Sequence, residues 1–158
     1  MTPLFKSQYS VGRSILTLQN IIDIAEINSL SQVVCVEDSF YGFRSFNKAF
    51  LEKDIQLIFG LRMNVVNDQS SSEERPSKLI FFAKNNSGIN AIKKLYTDSQ
   101  TSDCGALGLN ACSSEDLKDV KIAVPFYDSY IYNNLFHFGM SDLNLDRFDH
   151  VYFLEDNN

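Results

Sequence analysis

Segments with helical spacing of apolar residues alternate with short, continuous apolar runs in the first part of the chain, and this alternation narrows the possible folds more than any other feature. Residues 18–30 show the helical spacing and lead into the run 33–36. Residues 40–53 repeat the helical spacing and lead into the run 55–60. A short apolar run that follows a helix is typical of a buried strand in a parallel sheet. The pattern therefore predicts an α/β fold.

A polar segment at residues 67–77 interrupts this pattern, which then resumes. The segment is rich in Ser and Glu and contains Pro76, so we expect an exposed and mobile loop. Beyond it we predict strands at 78–83, 121–124 and 150–154 and helices at 87–96 and 129–138. A further short helix is predicted to start at Ser113 or Ser114. There is no internal repeat. We expect a single domain over residues 1–158 with about five or six strands.

The composition argues against several classes of partner. The net charge is -6, so the chain lacks the basic surface that neutralises nucleic-acid phosphates. No segment reaches the ~20 consecutive apolar residues that cross a bilayer. The three cysteines form no C-x-x-C pair, which indicates reduced thiols rather than a disulfide framework or a zinc site. We expect a cytoplasmic protein that contacts neither a membrane nor, directly, a nucleic acid.

Four short motifs follow one another in a fixed order. They are Ser-Gln-Tyr-Ser at 7–10, Glu-Asp with Tyr-Gly at 37–42, Phe-Gly-Leu-Arg at 59–62, and Ala-Lys-Asn with a helical Ile-Lys-Lys-Leu at 83–95. Their order and spacing resemble those of the PHP domain (polymerase and histidinol phosphatase), in particular the N-terminal domain of the bacterial DNA polymerase III alpha subunit. The resemblance is strongest over residues 1–97.

This resemblance implies a fold, a setting and a kind of partner. The fold would be a distorted (β/α) barrel of mainly parallel strands with outer helices, truncated or partial because 158 residues are few for such a domain. The setting would be DNA replication, in a polymerase whose catalytic chemistry lies elsewhere. Inactive relatives support the polymerase core or contact a proofreading exonuclease, and the resemblance implies a similar structural or docking role here.

The resemblance also locates the metal-binding positions of the family, and most of them hold side chains that do not bind metals. The two histidines of the first strand fall at Leu4 and Lys6, the histidine after the second strand at Ser39, and a glutamate at Arg62, so that only Asp38 remains as a ligand type. An ammonium group has no lone pair to donate. One carboxylate cannot assemble a multi-metal cluster that activates water. We therefore predict a vestigial site with no catalytic residue, no metal and no cofactor.

Asp38 allows two interpretations. It is a relict ligand, or it forms an ion pair with Lys6 or Arg62, and we favour the ion pair because the two cationic replacements would compensate its charge. Two alternative functions stay open. An active phosphoesterase with rearranged ligands would need at least three convergent carboxylate or imidazole groups. An unrelated α/β binding protein would be favoured if the first strand did not lie beside the strand that ends at Asp38.

Other chemistry-bearing residues have simpler interpretations. The C-terminal part contains an acidic set with one imidazole, which we interpret as solvated surface: Asp128, Asp142, Asp146, Asp149 and His150. His137 lies between two phenylalanines, so we predict a packed histidine. Cys35 falls within a predicted strand and belongs in a core. The aromatic residues of segment 127–138 are either core or, where exposed, a patch that binds a partner.

Overall fold

The computed structural model describes residues 3–71, 73–140 and 142–154, and the chain forms two compact units, Met1–Arg62 and Met63–Asn158. In chain order the elements are β1 (Leu4–Phe5), α1 (Leu18–Ile27), β2 (Gln32–Glu37), α2 (Phe43–Glu52), β3 (Gln56–Val66), β4 (Ser77–Ala83), α3 (Asn86–Thr101), β5 (Leu107–Gly108), a 3-10 turn (Leu109–Ala111), α4 (Ser114–Leu117), β6 (Val120–Val124), α5 (Tyr130–Phe136) and β7 (Val151–Phe153). Strand β3 begins in the first unit and continues into the second.

The first unit contains parallel strands joined by helices. Leu4 of β1 pairs with Val34 of β2, and Val36 of β2 pairs with Gly60 of β3. Helix α1 follows the N-cap Thr17, whose hydroxyl accepts a hydrogen bond from the amide of Asn20, the third residue of the helix. The α/β alternation predicted from the sequence is therefore confirmed. Strand β1 also lies directly beside β2. The separation of these strands that would have favoured an unrelated α/β protein is therefore not observed.

One face of this sheet packs against both helices. The core that results is almost entirely aliphatic and aromatic, and its buried members are Ile21, Ile22, Ala25, Val33, Cys35, Phe46, Phe50 and Ile55. Phe46 and Phe50 lie one helical turn apart on α2, with parallel rings 6.1 Å apart. Cys35 is fully buried here, as its place in a strand predicts. The apolar residues of α1 and α2 therefore pack against the strands of this sheet.

The second unit contains a mixed arrangement of strands. β4 and β6 are antiparallel, β6 and β7 are parallel, and the end of β3 is parallel to β5. The reason lies in the connection, because helix α3 and the short segments after it return the chain to the end of β4. Ala83 at the end of β4 consequently pairs with Val120 at the start of β6. Mainly parallel strands were predicted, and the β4–β6 pair departs from that prediction.

The boundaries of several strands and helices differ from those predicted from the sequence. β3 continues to Val66, well beyond the predicted run 55–60, and the two-residue β5 was not predicted at all. The described residues contain seven strands rather than five or six. Helix α3 starts after the N-cap Asn85 instead of Ser87 and extends to Thr101. None of the helices in the described ranges has both the length and the apolar content needed to cross a bilayer.

The Ala-Lys-Asn motif has a structural role in the second unit. The Lys84 amide donates to the Asp119 carbonyl at 2.9 Å, and the Lys84 ammonium donates to the Lys118 carbonyl at 2.6 Å. Asn85 caps α3 through the Gly88 amide and donates to the Asp119 carboxylate. A Cβ atom at Gly88 would lie 2.3 Å from the Asp119 carbonyl oxygen. The motif therefore attaches the start of α3 to the turn before β6.

The predicted loop is largely exposed. Its described residues between Asp68 and Pro76 are exposed except for Glu74, whose carboxylate accepts the amides of Asn67 and Asp68 at 2.5 and 3.1 Å. Residue 72 lies outside the described residues. Exposure of the loop is thus confirmed, whereas its mobility stays a prediction. Ser77, placed in the loop by the sequence, is buried and begins β4.

A helix was predicted over residues 129–138; α5 is shorter, because it begins after the N-cap Ser129 and ends at Phe136, and none of its residues is buried. His137 was predicted to be packed, and this was wrong, because the residue is exposed just after the helix. Its ring lies edge-on to Tyr132 with the ring centres 5.5 Å apart. Apolar neighbours in sequence do not bury a residue when the whole helix lies at the surface.

Candidate functional site

Three of the five predicted site residues meet at the end of the parallel strands of the first unit. Lys6 directly follows β1, Asp38 directly follows β2, and Arg62 lies in β3. The register pairs Glu37 with Leu61, which brings the residue after each of them to the same edge. The carboxyl ends of parallel strands are where sites of α/β proteins are usually built.

The Asp38 carboxylate binds both cations. Its Oδ1 lies 2.8 Å from Arg62 Nε and 3.2 Å from Lys6 Nζ, and its Oδ2 lies 3.0 Å from Lys6 Nζ. The side chains of Lys6, Asp38 and Arg62 are 21%, 33% and 13% exposed. The ion pair favoured by the sequence is therefore present, and it involves Lys6 and Arg62 together. This group is called the Asp38 cluster below.

Burial and the charges of the Asp38 cluster together shift the pKa values of Asp38 and Lys6. Burial raises the pKa of Asp38, but the hydrogen bonds from Arg62 and Lys6 outweigh it, so the pKa lies below its ordinary value. Burial lowers the pKa of Lys6, and repulsion by Arg62 adds to this against the attraction of Asp38. The two cations therefore stabilise the ionised form of Asp38.

A second carboxylate, Glu37, lies fully buried next to the cluster. Its Oε1 accepts the Ser7 amide at 2.8 Å, and its Oε2 accepts the Ser10 hydroxyl at 2.5 Å. The Ser10 oxygen in turn accepts the Asp38 amide at 3.1 Å. These bonds attach the Ser-Gln-Tyr-Ser turn, which directly follows Lys6, to the end of β2. Sequence reasoning identified Glu37 only as part of a motif; the available signal was a carboxylate at the end of an apolar strand.

Tyr9 explains the Tyr-Gly part of the second motif. Its ring packs against those of Tyr41 and Phe46, with centres 5.7 and 5.6 Å away. A Cβ atom at Gly42 would lie 2.2 Å from Cδ2 of Tyr9. Glycine at position 42 thus lets the turn before α2 approach the Tyr9 ring closely. Two motifs that are distant in sequence are packed together around the cluster.

The remaining predicted positions do not complete a metal site. Leu4 is 48% exposed on β1, and the Ser39 hydroxyl accepts the Tyr41 amide at 3.3 Å. Asp38 offers the single carboxylate among the five positions, and both its oxygens already bind cations. The donor set does not fit a divalent metal. Within the described ranges no group of three or more His, Cys, Asp or Glu residues converges, so the feature required for a rearranged metal site was not found.

The other candidate residues behave as surface or core. The five members of the C-terminal acidic set, Asp128, Asp142, Asp146, Asp149 and His150, are all exposed. The three cysteines are free. Burial raises the pKa of Cys35 to about 12 and that of Cys112 to about 11, which leaves almost no thiolate at neutral pH. Cys104 is exposed. These properties give no support for a nucleophilic thiol at Cys35 or Cys112.

Comparison with known proteins identifies the family. Its profile, described as the PHP domain, matches residues 5–124 of this chain. Among the solved structures that match is a protein from Bifidobacterium adolescentis assigned as a metal-dependent phosphoesterase, with 17% sequence identity over 61% of this chain and a TM-score of 0.43. The match spans 32% of that protein's length. No curated protein matches the sequence significantly. Because the family profile covers most of the sequence, the chain belongs to the PHP domain family.

Proposed function

We propose that this chain is a PHP domain that binds no catalytic metal, hydrolyses no phosphoester and serves as a structural or docking module. The observation that carries the proposal is the pairing of Asp38 with both Lys6 and Arg62. The sequence resemblance assigns these positions to metal ligands, and here they hold two fixed cations and their shared counterion.

The charges of the cluster oppose metal binding. A divalent ion near Asp38 would have to displace Lys6 and Arg62 from the carboxylate and would then be repelled by both. Removal of one member of a partly buried ion pair leaves the others with uncompensated charge. Lys6 and Arg62 have no lone pair with which to replace the lost interaction. The Asp38 cluster therefore stabilises this end of the sheet without a metal ion.

The buried bonds of Glu37 support the same function. In a metal enzyme the ion itself holds the ligand-bearing strand ends together. In this chain Glu37 binds the turn at Ser7 and Ser10, and Ser10 binds the backbone of Asp38. These bonds hold the turn against the end of β2 without a metal ion, which suits a domain with a structural role.

The setting of the domain forms part of the proposal. The four motifs over residues 1–97 resemble the polymerase branch of the family, so we place the chain in a replicative DNA polymerase of the III alpha type, in the cytoplasm. The fold would be a partial PHP-type barrel. Its partner would be the polymerase core or a proofreading exonuclease. The net charge of -6 suits contact with protein better than direct contact with DNA.

Metal content and hydrolysis, measured on one sample, test the proposal. The purified protein is incubated with Mn²⁺ and Zn²⁺, freed of excess ion and examined by elemental mass spectrometry, while hydrolysis of bis(p-nitrophenyl) phosphate is followed. We expect far less than one ion per chain and no turnover above the Asp38→Asn variant. One tightly held ion with turnover that Asp38→Asn abolishes would overturn the proposal and favour an active phosphoesterase with rearranged ligands.

A rebuilt site supplies the positive control. The combined variant Lys6→His, Ser39→His and Arg62→Glu places two imidazoles and a second carboxylate near Asp38. We expect it to retain about one Zn²⁺ per chain, because the new side chains carry the lone pairs that zinc requires. A rebuilt variant that folds and still binds no metal would show that these positions do not correspond to the ligands of the family.

A further inference from the structure

The surface around α5 exposes an unusual amount of apolar side chain. Phe138 and Met140 are 93% and 100% exposed, and Leu135, Phe136 and Tyr127 are 63%, 58% and 49% exposed. These five residues are called the α5 patch. They are close in sequence and belong to the same unit. Single exposed apolar residues are normal on protein surfaces, whereas a contiguous group of large ones marks an interaction site.

Aromatic rings beside the α5 patch pack against two of its members, Tyr127 and Phe136. Tyr132 lies 4.9 Å from Phe136 and 5.4 Å from Tyr127, measured between ring centres. Phe126 contacts Tyr127, Tyr132 and Phe136 at 5.1, 5.7 and 6.2 Å. Such a network limits the rotamers of its members before any partner arrives. Rigid aromatic side chains bind partners at low cost in conformational entropy.

Backbone geometry adds a second, independent observation. Phe138 has a φ angle of 51°, in the left-handed region that disfavours side chains with a Cβ atom. The amides of His137 and Gly139 both donate to the Asn133 carbonyl, which closes the turn around Phe138. Glycine usually occupies such a position after a helix. In this chain the position is occupied by Phe138, whose side chain is 93% exposed. Strained backbone positions of this kind occur at binding sites.

The charge around the patch specifies the partner. Asp142 and Asp146 follow Met140 closely in the chain, both carboxylates are exposed, and residues 130–146 contain neither Lys nor Arg. Complementary potentials favour a partner with positive charge. Phosphate groups of nucleic acids and anionic lipid headgroups would be repelled by the same carboxylates. A basic protein segment satisfies both the apolar and the electrostatic character of the surface.

We infer that the α5 patch is a docking surface for a basic protein segment that places apolar side chains against Phe136, Phe138 and Met140. Its Lys and Arg side chains face Asp142 and Asp146. The inference rests on the docking role proposed above and names the surface and the partner class. It is independent of the Asp38 cluster, which lies in the other unit.

Three labelled synthetic peptides test the inference. The first has Lys and Leu at helical spacing, the second replaces Lys with Glu, and the third replaces Leu with Ser. Fluorescence anisotropy is measured with the intact chain at about 50 mM and about 300 mM salt. We expect the Lys-Leu peptide to bind most tightly and to lose affinity at the higher salt concentration, since both apolar contact and charge contribute.

Matched variants locate the binding surface. Phe138→Ser with Met140→Ser should weaken binding of the Lys-Leu peptide by about tenfold. Ile15→Ser is the control, because Ile15 is also 93% exposed but lies in the first unit. Asp142→Asn with Asp146→Asn should reduce both affinity and salt dependence, whereas Asp103→Asn, at another exposed carboxylate of the second unit, should not. Circular dichroism checks that each variant is folded.

Several results would overturn the inference. One is that the combined Phe138→Ser and Met140→Ser variant binds the Lys-Leu peptide as tightly as the wild type does. Another is that the Glu-Leu peptide binds as tightly as the Lys-Leu peptide. A third is a dimer, seen by light scattering, that the same variant abolishes. Patch-dependent binding of a single-stranded oligonucleotide or of anionic vesicles, stronger than that of the Lys-Leu peptide, would also do so. None of these results changes the metal content or hydrolysis of the same sample, so failure of the docking surface is distinguishable from failure of the proposed metal-free site.

Discussion

The Ser10 hydroxyl donates a hydrogen bond to the Glu37 carboxylate at 2.5 Å, and both residues are buried at the end of β2. The same hydroxyl oxygen accepts the Asp38 amide. Ser10 thus links a buried charge to the backbone of the residue that binds Lys6 and Arg62. Ser10 therefore holds the backbone of Asp38 at the end of β2, while Lys6 and Arg62 bind its carboxylate.

Ser10→Ala tests this link. The substitution removes one donor to Glu37 and leaves the Asp38 amide without its side-chain acceptor, so we expect the free energy of unfolding to fall by about 1–3 kcal/mol. Urea unfolding followed by circular dichroism measures the change. Ser14→Ala is a control, because the Ser14 hydroxyl only accepts the partly buried Leu16 amide. A loss at Ser10 no larger than that at Ser14 would contradict the role assigned to the buried bond.

The Asp38 cluster predicts a pH dependence of stability. Hydrogen bonds from Arg62 and Lys6 outweigh burial and hold the pKa of Asp38 below its unfolded value of about 3.9. A lowered pKa contributes stability that is complete above the unfolded pKa and is lost as pH falls through the folded pKa. Asp38→Asn should therefore be less stable than the wild type by about 1–2 kcal/mol at pH 7. The difference should shrink below about pH 4.

Urea unfolding of the two proteins between about pH 3 and pH 7 measures this difference. Other titrating groups are common to both proteins and largely cancel. A difference that stays constant down to pH 3 would show that Asp38 does not titrate with the predicted linkage. A more stable Asp38→Asn variant at pH 7 would show that burial outweighs the ion pairs.

Gly42 and Tyr9 should be energetically coupled. A Cβ atom at position 42 would lie 2.2 Å from the Tyr9 ring, so Gly42→Ala must displace a ring that packs against Tyr41 and Phe46. We expect a loss of about 1–3 kcal/mol in the wild type and a clearly smaller loss in a Tyr9→Ala background. Unfolding of the four proteins of this double-mutant cycle measures the coupling.

Gly12→Ala is the matched control for this cycle. Gly12 has a φ angle of 76° and open space where a Cβ atom would lie, so its substitution strains the backbone without contact with a neighbouring side chain. Its effect should be the same with and without Tyr9. Additivity of Gly42→Ala and Tyr9→Ala would refute the packing that joins the two motifs.

The three cysteines should differ sharply in reactivity. Burial raises the pKa of Cys35 to about 12 and that of Cys112 to about 11, whereas Cys104 is exposed. The thiolate is the reactive form, so a thiol reagent at pH 8 should modify one cysteine of the native protein rapidly and all three after unfolding. Mass spectrometry of peptides identifies the modified residue. Cys104→Ser should abolish the rapid phase, and rapid modification of Cys35 would contradict its burial.

The sequence was most informative where local pattern and burial agree. Helical spacing at residues 18–30 and 40–53 predicted α1 and α2, because each buries one face against a strand. An ion pair of Asp38 with Lys6 or Arg62 was predicted from charge compensation at positions that the family resemblance located, and the structure contains both pairs. The antiparallel pairing of β4 with β6 was not predictable in this way, because it depends on where α3 and the segments after it return the chain.

Burial could not be inferred from residue type at several positions. Glu37 is polar and fully buried, whereas Phe138 is apolar and 93% exposed. His137 was assigned to a packed environment from its phenylalanine neighbours, yet its helix has no buried residue. The burial of Glu37 depends on contacts with residues distant in the chain, and the exposure of His137 and Phe138 on the lack of such contacts. Such contacts leave no periodic signal in the local sequence.

The sequence by itself determined the α/β alternation of the first unit and indicated that Asp38 would pair with Lys6 or Arg62, because periodicity and side-chain chemistry are local properties. The tertiary structure alone decided that both cations bind Asp38, that Glu37 holds the adjacent turn, and that the α5 patch faces solvent. These outcomes depend on distances of a few ångströms between residues far apart in the chain. Only strand register and packing set such distances.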